Sequence, residues 1–276
     1  MKSQSRRRFL ATASAGALAL TGAFAPRARA QAPITMRVSS SMSADANAAH
    51  YIWYERFAAN VQSALGDKVK LAYFPDSQLG KEADIVQQVK VGSVDMMITG
   101  SSIWATVAPE FGMLDLGYVF DSYPHCFKAL DGGVGDKLGK TLNDKTGCTV
   151  LDWASHFGPR SVYTKKQVKF CWLTEHLFSP MVAVIGKRGL DKVPADLRPA
   201  FMKAAKDATI YERGVAADKG KAATEELKKM GVVFTPMAKA ERDQVRKEME
   251  AKVWAGFIKE YPDTKPLFEA INAART

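Results

Sequence analysis

The alternation of strand and helix patterns over residues 34–98 constrains the fold of this chain more than any other feature. Apolar residues recur every four positions from Ala49 to Leu65, which is typical of a helix with one buried face. The predicted elements in this region are strands over Ile34–Ser39, Val69–Phe74 and Val94–Ile98, and helices over residues 46–65 and Glu82–Lys90. This order favours a parallel α/β lobe with right-handed crossovers.

The rest of the chain continues the mixed α/β pattern. An aromatic stretch over Trp104–Phe120 separates the first lobe's early strands from later elements. Asp191–Pro194 predicts a helix start with proline in the first turn, followed by one long helix or two up to Gly231. The other predicted elements are helices over Phe127–Leu142 and Ala240–Tyr261, and strands over Thr149–Trp153 and Val232–Phe234.

The N-terminus is typical of an export signal. Ser5–Leu10 contains a twin-arginine pattern, a small-residue apolar run follows to Ala25, and Ala28-Arg29-Ala30 offers a cleavage site. The apolar run is too short and too rich in small residues to span a bilayer of about 30 Å. We therefore expect residues 1–30 to be a twin-arginine signal peptide cleaved after Ala30, and the mature chain to be periplasmic.

The net charge of +10 arises mostly from that segment. Six of the 39 Lys and Arg residues lie in the first thirty positions, which contain no acid, so the remainder has 33 basic and 29 acidic residues. A surplus of four charges is not the basic footprint of a nucleic-acid-binding protein. We expect no nucleic acid among the partners.

The sequence gives no positive sign of catalysis, a metal or a cofactor. The four histidines and three cysteines show no metal or redox spacing, and we expect Cys126, Cys148 and Cys171 to be buried thiols. Gly133-Val134-Gly135 superficially resembles a dinucleotide loop, but a helix pattern precedes it where that motif needs a strand. A turn between helices is the better interpretation.

Polar side chains cluster after the predicted strands, where open α/β sheets bind ligands. The loops involved are Ser39–Ser41, Asp76–Glu82, Thr99–Trp104 and Trp153–Arg160. Arg160 follows Gly158-Pro159 in such a loop, and an arginine fork is a natural bidentate partner for a carboxylate. From position alone, Arg160 is either such a group or a solvated surface arginine.

Several segments in one order resemble the DctP-like solute receptors of TRAP transporters. The resemblance covers nearly all of residues 31–276, and its most specific part ends in Gln78-Leu79-Gly80. The matching segments are Tyr73–Gly80, Val94–Met97, Pro109–Phe111, Leu114–Leu116, His156–Arg160, Leu173–His176 and Lys192–Arg198.

The resemblance implies an α/β receptor of the two-lobed periplasmic type, with long C-terminal helices, that is not an enzyme. It would bind a small organic acid and deliver it to the membrane permease subunits of an ion-gradient-driven TRAP transporter. The first lobe would span about residues 31–155, and the second lobe with lobe-spanning helices about 156–276. The resemblance places these residues at the ligand: Arg160, Glu82, Ser41, Thr99, Gly100, Ser101, Ser102 and Trp104.

The chain departs from the family pattern in the second lobe. Val168-Lys169 runs directly into Phe170–Thr174, which resembles a point well downstream in the family. We therefore expect an internal deletion near residues 169–171, an incomplete second lobe, and the loss of the principal carboxylate-binding arginine that the resemblance implies. The alternative to a working receptor is an internally deleted copy that binds nothing tightly. A further alternative is docking through Lys228, Lys229, Arg242 and Arg246, which otherwise form a solvated helix face.

Overall fold

A computed structural model of the protein describes residues 33–156, 158, 160–163 and 169–275. The predicted signal peptide and its cleavage site lie outside these residues, so both stay predictions. The strands are β1 (Ile34–Ser40), β2 (Val69–Phe74), β3 (Met96–Gly100), β4 (Thr149–Ser155), β5 (Arg160–Tyr163), β6 (Phe170–Leu177), β7 (Pro180–Ile185) and β8 (Val233–Pro236). The helices are α1 (Ala49–Leu65), α2 (Glu82–Val91), α3 (Tyr123–Ala129), α4 (Gly135–Thr146), α5 (Lys187–Lys192), α6 (Arg198–Lys229), α7 (Lys239–Met249), α8 (Ala255–Glu260) and α9 (Lys265–Ala273).

The larger of the two sheets has five strands in the order β2-β1-β3-β7-β4 among the described residues. β1 is parallel to β2 and to β3, as the strand and helix order predicts. β7 is antiparallel to β3 and to β4, so the lobe is mixed and not wholly parallel as expected. The reason is non-local: β7 returns from the smaller sheet directly, with no crossover helix to reverse its direction.

Both faces of this sheet are covered. On one face, α1 and α6 pack around Trp53, Phe57 and Phe201, and the Trp53 indole N–H donates to Thr209 Oγ1 at 2.9 Å. On the other face lies an apolar cluster drawn from α2, α3, α4 and α9. Coverage of the five-stranded sheet on both faces explains why every residue of its central strands β3 and β7 is buried.

The smaller sheet has three strands in the order β5-β6-β8 within the described residues. The chain enters it after β4 and leaves it at Phe178-Ser179, where β6 leads into β7. β7 and α9 thus lie with the first sheet although they follow residue 155. The division of the chain into lobes at residue 155 stays a prediction.

The helical regions differ from the sequence expectations in two places. The predicted helix start at Asp191–Pro194 is wrong: α5 ends at Lys192, and α6 begins at Arg198. Val193 is extended because the residue before a proline avoids helical angles. The chain after α6 also contains α9, which the sequence pattern did not predict.

Other expectations are confirmed. One long helix, α6, runs from Arg198 to Lys229. The three cysteines are free and buried. Gly133 has a φ of 106° and interrupts the helix between α3 and α4, as the interpretation of a turn between helices predicts. No helix among the described residues has the length and apolarity to cross a membrane.

Candidate functional site

The carboxyl ends of β1 and β3 bring three of the predicted site residues together. The two strands are paired up to Ser40 and Ile98, so Ser41, which follows β1, lies beside Thr99, the next residue of β3. Both hydroxyls donate to Oε1 of Glu82, from Ser41 at 2.7 Å and from Thr99 at 2.5 Å. Glu82 is the first residue of α2, where the helix dipole favours a carboxylate. The cluster therefore holds a negative charge and two hydroxyls at the edge where open α/β sheets bind ligands.

Gly100 ends β3 and lies directly against His156. A Cβ atom on Gly100 would be 2.8 Å from Cε1 and 3.0 Å from Nδ1 of the imidazole. Only glycine permits this approach without displacing the ring. The predicted site residue Gly100 therefore acts by making room for a histidine that follows β4.

His156 stacks on His50 of α1, with ring centroids 5.1 Å apart and an angle of 11° between the ring planes. His50 is fully buried, and its Nδ1 lies 2.8 Å from Ser40 Oγ, whereas its Nε2 has no hydrogen-bond partner among the described residues. Sequence reasoning missed this pair because it tested the histidines only for metal spacing. His50 occupies the buried face of α1 one turn before Trp53, which gives no sequence signal of a site.

Burial keeps both imidazoles neutral. Desolvation lowers the pKa of His50 well below its ordinary value, and the neighbouring His156 acts in the same direction. Desolvation also lowers the pKa of His156 to about 4; the Glu82 and Asp115 charges oppose this effect, and the Arg160 charge adds to it. At neutral pH the pair therefore offers uncharged hydrogen-bonding nitrogens beside the Glu82 cluster.

The turn after β3 carries the remaining predicted residues of the first lobe. Ser101–Thr106 forms a 3₁₀ helix in which Ser101 and Trp104 are fully buried and Ser102 is partly exposed. Ser101 Oγ and Trp104 Nε1 have no hydrogen-bond partner in the described protein. Trp104 also packs in the apolar core with Phe111. Ligand contact by Ser101, Ser102 and Trp104 stays a prediction.

Arg160 lies in the smaller sheet, unlike the other predicted site residues. It is the exposed first residue of β5 and pairs with Leu177 of β6. Burial lowers the pKa of His176, and the Arg160 charge lowers it further, as it does at His156. The guanidinium of Arg160 thus places a positive charge near the imidazoles of His156 and His176. None of the carboxylates in the described residues forms an ion pair with it.

The arrangement suits hydrogen bonding to a polar ligand. No group of three or more His, Cys, Asp or Glu side chains in the described ranges could hold a metal ion. Ligand hydroxyls can donate to Glu82, and they can exchange hydrogen bonds with the two hydroxyls and the two neutral imidazoles. Arg160 can pair with a ligand carboxylate. These features define a receptor-type site at the end of a mixed sheet.

The chain belongs to the DctP family, the bacterial extracellular solute-binding proteins of family 7. The family model matches residues 40–169 and, as a second segment, residues 165–260. Solved TRAP periplasmic solute-binding proteins share the fold. One from Chromohalobacter salexigens with bound D-glucuronate has a TM-score of 0.78 at 17% identity, over 87% of this chain and 100% of that one. Another from Haemophilus influenzae with bound L-gulonate has a TM-score of 0.77 at 19% identity, over 88% and 100%.

The alignments with two curated relatives contain positions that have no residue in this chain. The 2,3-diketo-L-gulonate-binding periplasmic protein YiaO of Escherichia coli is 24% identical over 289 aligned positions, covering 80% of this chain and 87% of that protein. Because 80% of 276 residues is about 221, about 68 of those 289 positions have no residue here. A relative from Haemophilus influenzae is 22% identical over 263 aligned positions, which include 71% of this chain, or about 196 residues. About 67 of those positions therefore have no residue here.

Proposed function

We propose that the mature chain is a periplasmic receptor that binds a small polyhydroxylated carboxylate and passes it to a TRAP-type membrane permease. The observation that carries this proposal is the Ser41–Glu82–Thr99 cluster at the sheet edge of a DctP-family chain. Export by the predicted twin-arginine signal, with cleavage after Ala30, and transfer to permease subunits belong to the same proposal. No catalytic role is assigned to any residue.

Charge favours a hydroxylated monocarboxylate as the ligand. Arg160 supplies one cation for one carboxylate, and Glu82 would repel a second carboxylate but accept hydroxyl donors. The neutral His50–His156 pair adds hydrogen-bonding capacity without charge. The ligands named for the similar proteins, D-glucuronate, L-gulonate and 2,3-diketo-L-gulonate, are hydroxylated carboxylates of this kind.

A thermal-shift screen of the mature chain against uronic, aldonic and keto acids and dicarboxylates tests the proposal. A ligand at one hundred times its dissociation constant stabilises a receptor by about 2.7 kcal/mol. For this length, that gain raises Tm by roughly 5–10 °C. We expect one class of sugar acid to do so, and succinate to have no effect. Glu82→Gln should reduce the rise, and Lys81→Gln, a neighbouring exposed change, should leave it intact.

The alignment positions that this chain lacks favour a second candidate function, an internally deleted receptor without tight binding. The two matched family segments overlap at residues 165–169, which supports a deletion in this part of the chain. Arg160 would then act without the principal carboxylate-binding arginine that the family resemblance implies. A cooperative thermal transition that no acid shifts would favour this candidate over the receptor.

A further inference from the structure

The smaller sheet exposes an apolar patch that the ligand site does not use. Phe170 is 57% exposed, Trp172 41% and Val233 51%, and Met230, in the turn before β8, is 74% exposed. We call these four residues the β6–β8 patch. They are half of the large hydrophobic side chains that are exposed among the described residues. Contiguous apolar surface of this kind marks an interaction site more often than single exposed residues do.

Strand register puts three of the four on one face. Phe170 of β6 is paired with Val233 of β8, and Trp172 lies two residues further along β6, so all three side chains point to the same side. Cys171, between the two aromatics, is buried on the opposite side. The patch is therefore the outer face of the sheet at the end where α6 leads into β8.

Three lysines lie next to the patch along the chain. Lys169 is exposed immediately before Phe170, and its carbonyl accepts the N–H of Val233. Lys228 and Lys229 lie in the last turn of α6, just before Met230. Lys228 pairs with Glu225, whereas no ion pair is found for Lys169 or Lys229 among the described residues. A partner that binds this patch must therefore be neutral or negatively charged where it meets the lysines.

The size and composition of the patch favour a lipid surface over a protein. A whole large aromatic side chain covers about 150–250 Å², so the exposed fractions amount to roughly 400 Å² for the patch. A stable dimer needs about 800 Å² on each partner, and two copies would bring like-charged lysines together. Aromatic and aliphatic side chains with lysines next to them instead suit the interface of an anionic bilayer.

We propose that the β6–β8 patch, with Lys169, Lys228 and Lys229, docks this protein on an anionic lipid bilayer. The aromatic residues would enter the headgroup boundary, and the lysines would contact lipid phosphates. The surface is separate from the Glu82 cluster, so this proposal stands or falls independently of ligand binding.

Trp172 allows a direct test with the mature protein. It is the only exposed tryptophan, because Trp53, Trp104, Trp153 and Trp254 are each at most 5% exposed. Quenching of its fluorescence is measured with brominated phosphatidylcholine vesicles, with and without phosphatidylglycerol. We expect the quenching curves to show that the protein binds the anionic vesicles at least tenfold more tightly than the zwitterionic ones. The double variant Lys228→Gln, Lys229→Gln should bind roughly 25-fold more weakly, since each lysine near an anionic surface contributes about fivefold.

Matched variants separate docking from loss of structure. Met230→Ser, in a turn, should weaken vesicle binding without changing Tm, and Val91→Ser, an exposed change on α2, should change neither. Absence of quenching, or equal quenching by both vesicles, would overturn the proposal. So would a dimer in light scattering that disappears in Phe170→Ser, or binding of poly-glutamate without lipid quenching, which would identify a second copy or an acidic protein as the partner.

Discussion

At the residue scale, buried titratable groups set how the fold responds to pH. Glu212 of α6 is fully buried, and its Oε2 accepts the backbone N–H of Ser155 at 2.9 Å. Desolvation raises the pKa of Glu212 to about 8, although the Ser155 hydrogen bond opposes this shift. The side chain is therefore largely protonated in the folded protein at neutral pH, at the point where β4 ends.

Glu212 predicts a loss of stability as pH rises. An unfolded glutamate ionises near pH 4.3, so between that pH and about 8 the folded state holds the extra proton. The free energy of unfolding should fall by up to about 1.4 kcal/mol per pH unit. All four histidines have lowered pKa values, so they oppose this trend at the pH values where their unfolded forms still bind protons, around pH 6.5 and below. Urea denaturation of the wild type and Glu212→Gln at pH 7.2, 7.6 and 8.0 isolates the effect, because the histidine contribution is the same in both proteins. The wild type should lose more stability with rising pH than the variant; parallel profiles would contradict the assignment.

The close approach of His156 to Gly100 predicts that one added methyl group at this position disturbs the site. Gly100→Ala should push His156 off His50, lower the free energy of unfolding by about 1–3 kcal/mol and weaken ligand binding. Gly256→Ala is the matched control, since its Cβ would meet open space on α8 and helix propensity favours alanine by up to about 1 kcal/mol. Chemical denaturation and ligand titration of both variants give the comparison. Equal behaviour of the two would show that the close approach is unimportant.

At the element scale, local patterns predicted most of the first lobe. The positions of β1, α1, β2 and α2 follow the sequence expectation within a few residues, because each depends on its own apolar period. The same rule places Ser41, Glu82 and Thr99 at one sheet edge. What failed is non-local: the antiparallel insertion of β7, the short helix α9, and the stacking of His50 on His156 depend on contacts between distant segments.

The C-terminal helix α9 is held by a shared carboxylate. Asp121 pairs with Arg246 of α7 at 3.1 Å and with Arg275, just after α9, at 2.5 Å. Arg275 also donates to the carbonyls of Tyr118 and Val119. Since Phe268 of α9 lies in the core, this link fixes an apolar helix against the first lobe.

Asp121→Asn should therefore loosen α9. We expect a loss of about 1–2 kcal/mol in the free energy of unfolding, because two partly buried arginines lose a charged partner. Hydrogen exchange of residues 265–273 should accelerate in the same variant. Asp144→Asn, which removes an exposed pair with Lys140, should cost at most about 0.5 kcal/mol. Unchanged exchange in α9 would show that apolar packing alone holds the helix.

At the scale of the whole molecule, the site residues divide between two sheets. Ser41, Glu82 and Thr99 belong to the five-stranded sheet, and Arg160 begins the three-stranded one. The chain passes between the sheets after β4, at Phe178-Ser179 between β6 and β7, and again where α6 leads into β8. A ligand that contacts both the Glu82 cluster and Arg160 would therefore link the two sheets. This holds although the chain lacks positions that its relatives have.

Isothermal titration calorimetry of the mature chain with D-glucuronate, L-gulonate and 2,3-diketo-L-gulonate tests the central claim most directly. We expect one of these acids to bind with a stoichiometry of one. Arg160→Gln should raise its Kd roughly 10- to 100-fold, since a lost charged hydrogen-bond partner costs about 1.5–3 kcal/mol. Arg56→Gln, whose side chain lies over Tyr211, should bind as the wild type does. Binding that Arg160→Gln leaves unchanged, or no heat with any of these acids, would contradict the proposed receptor.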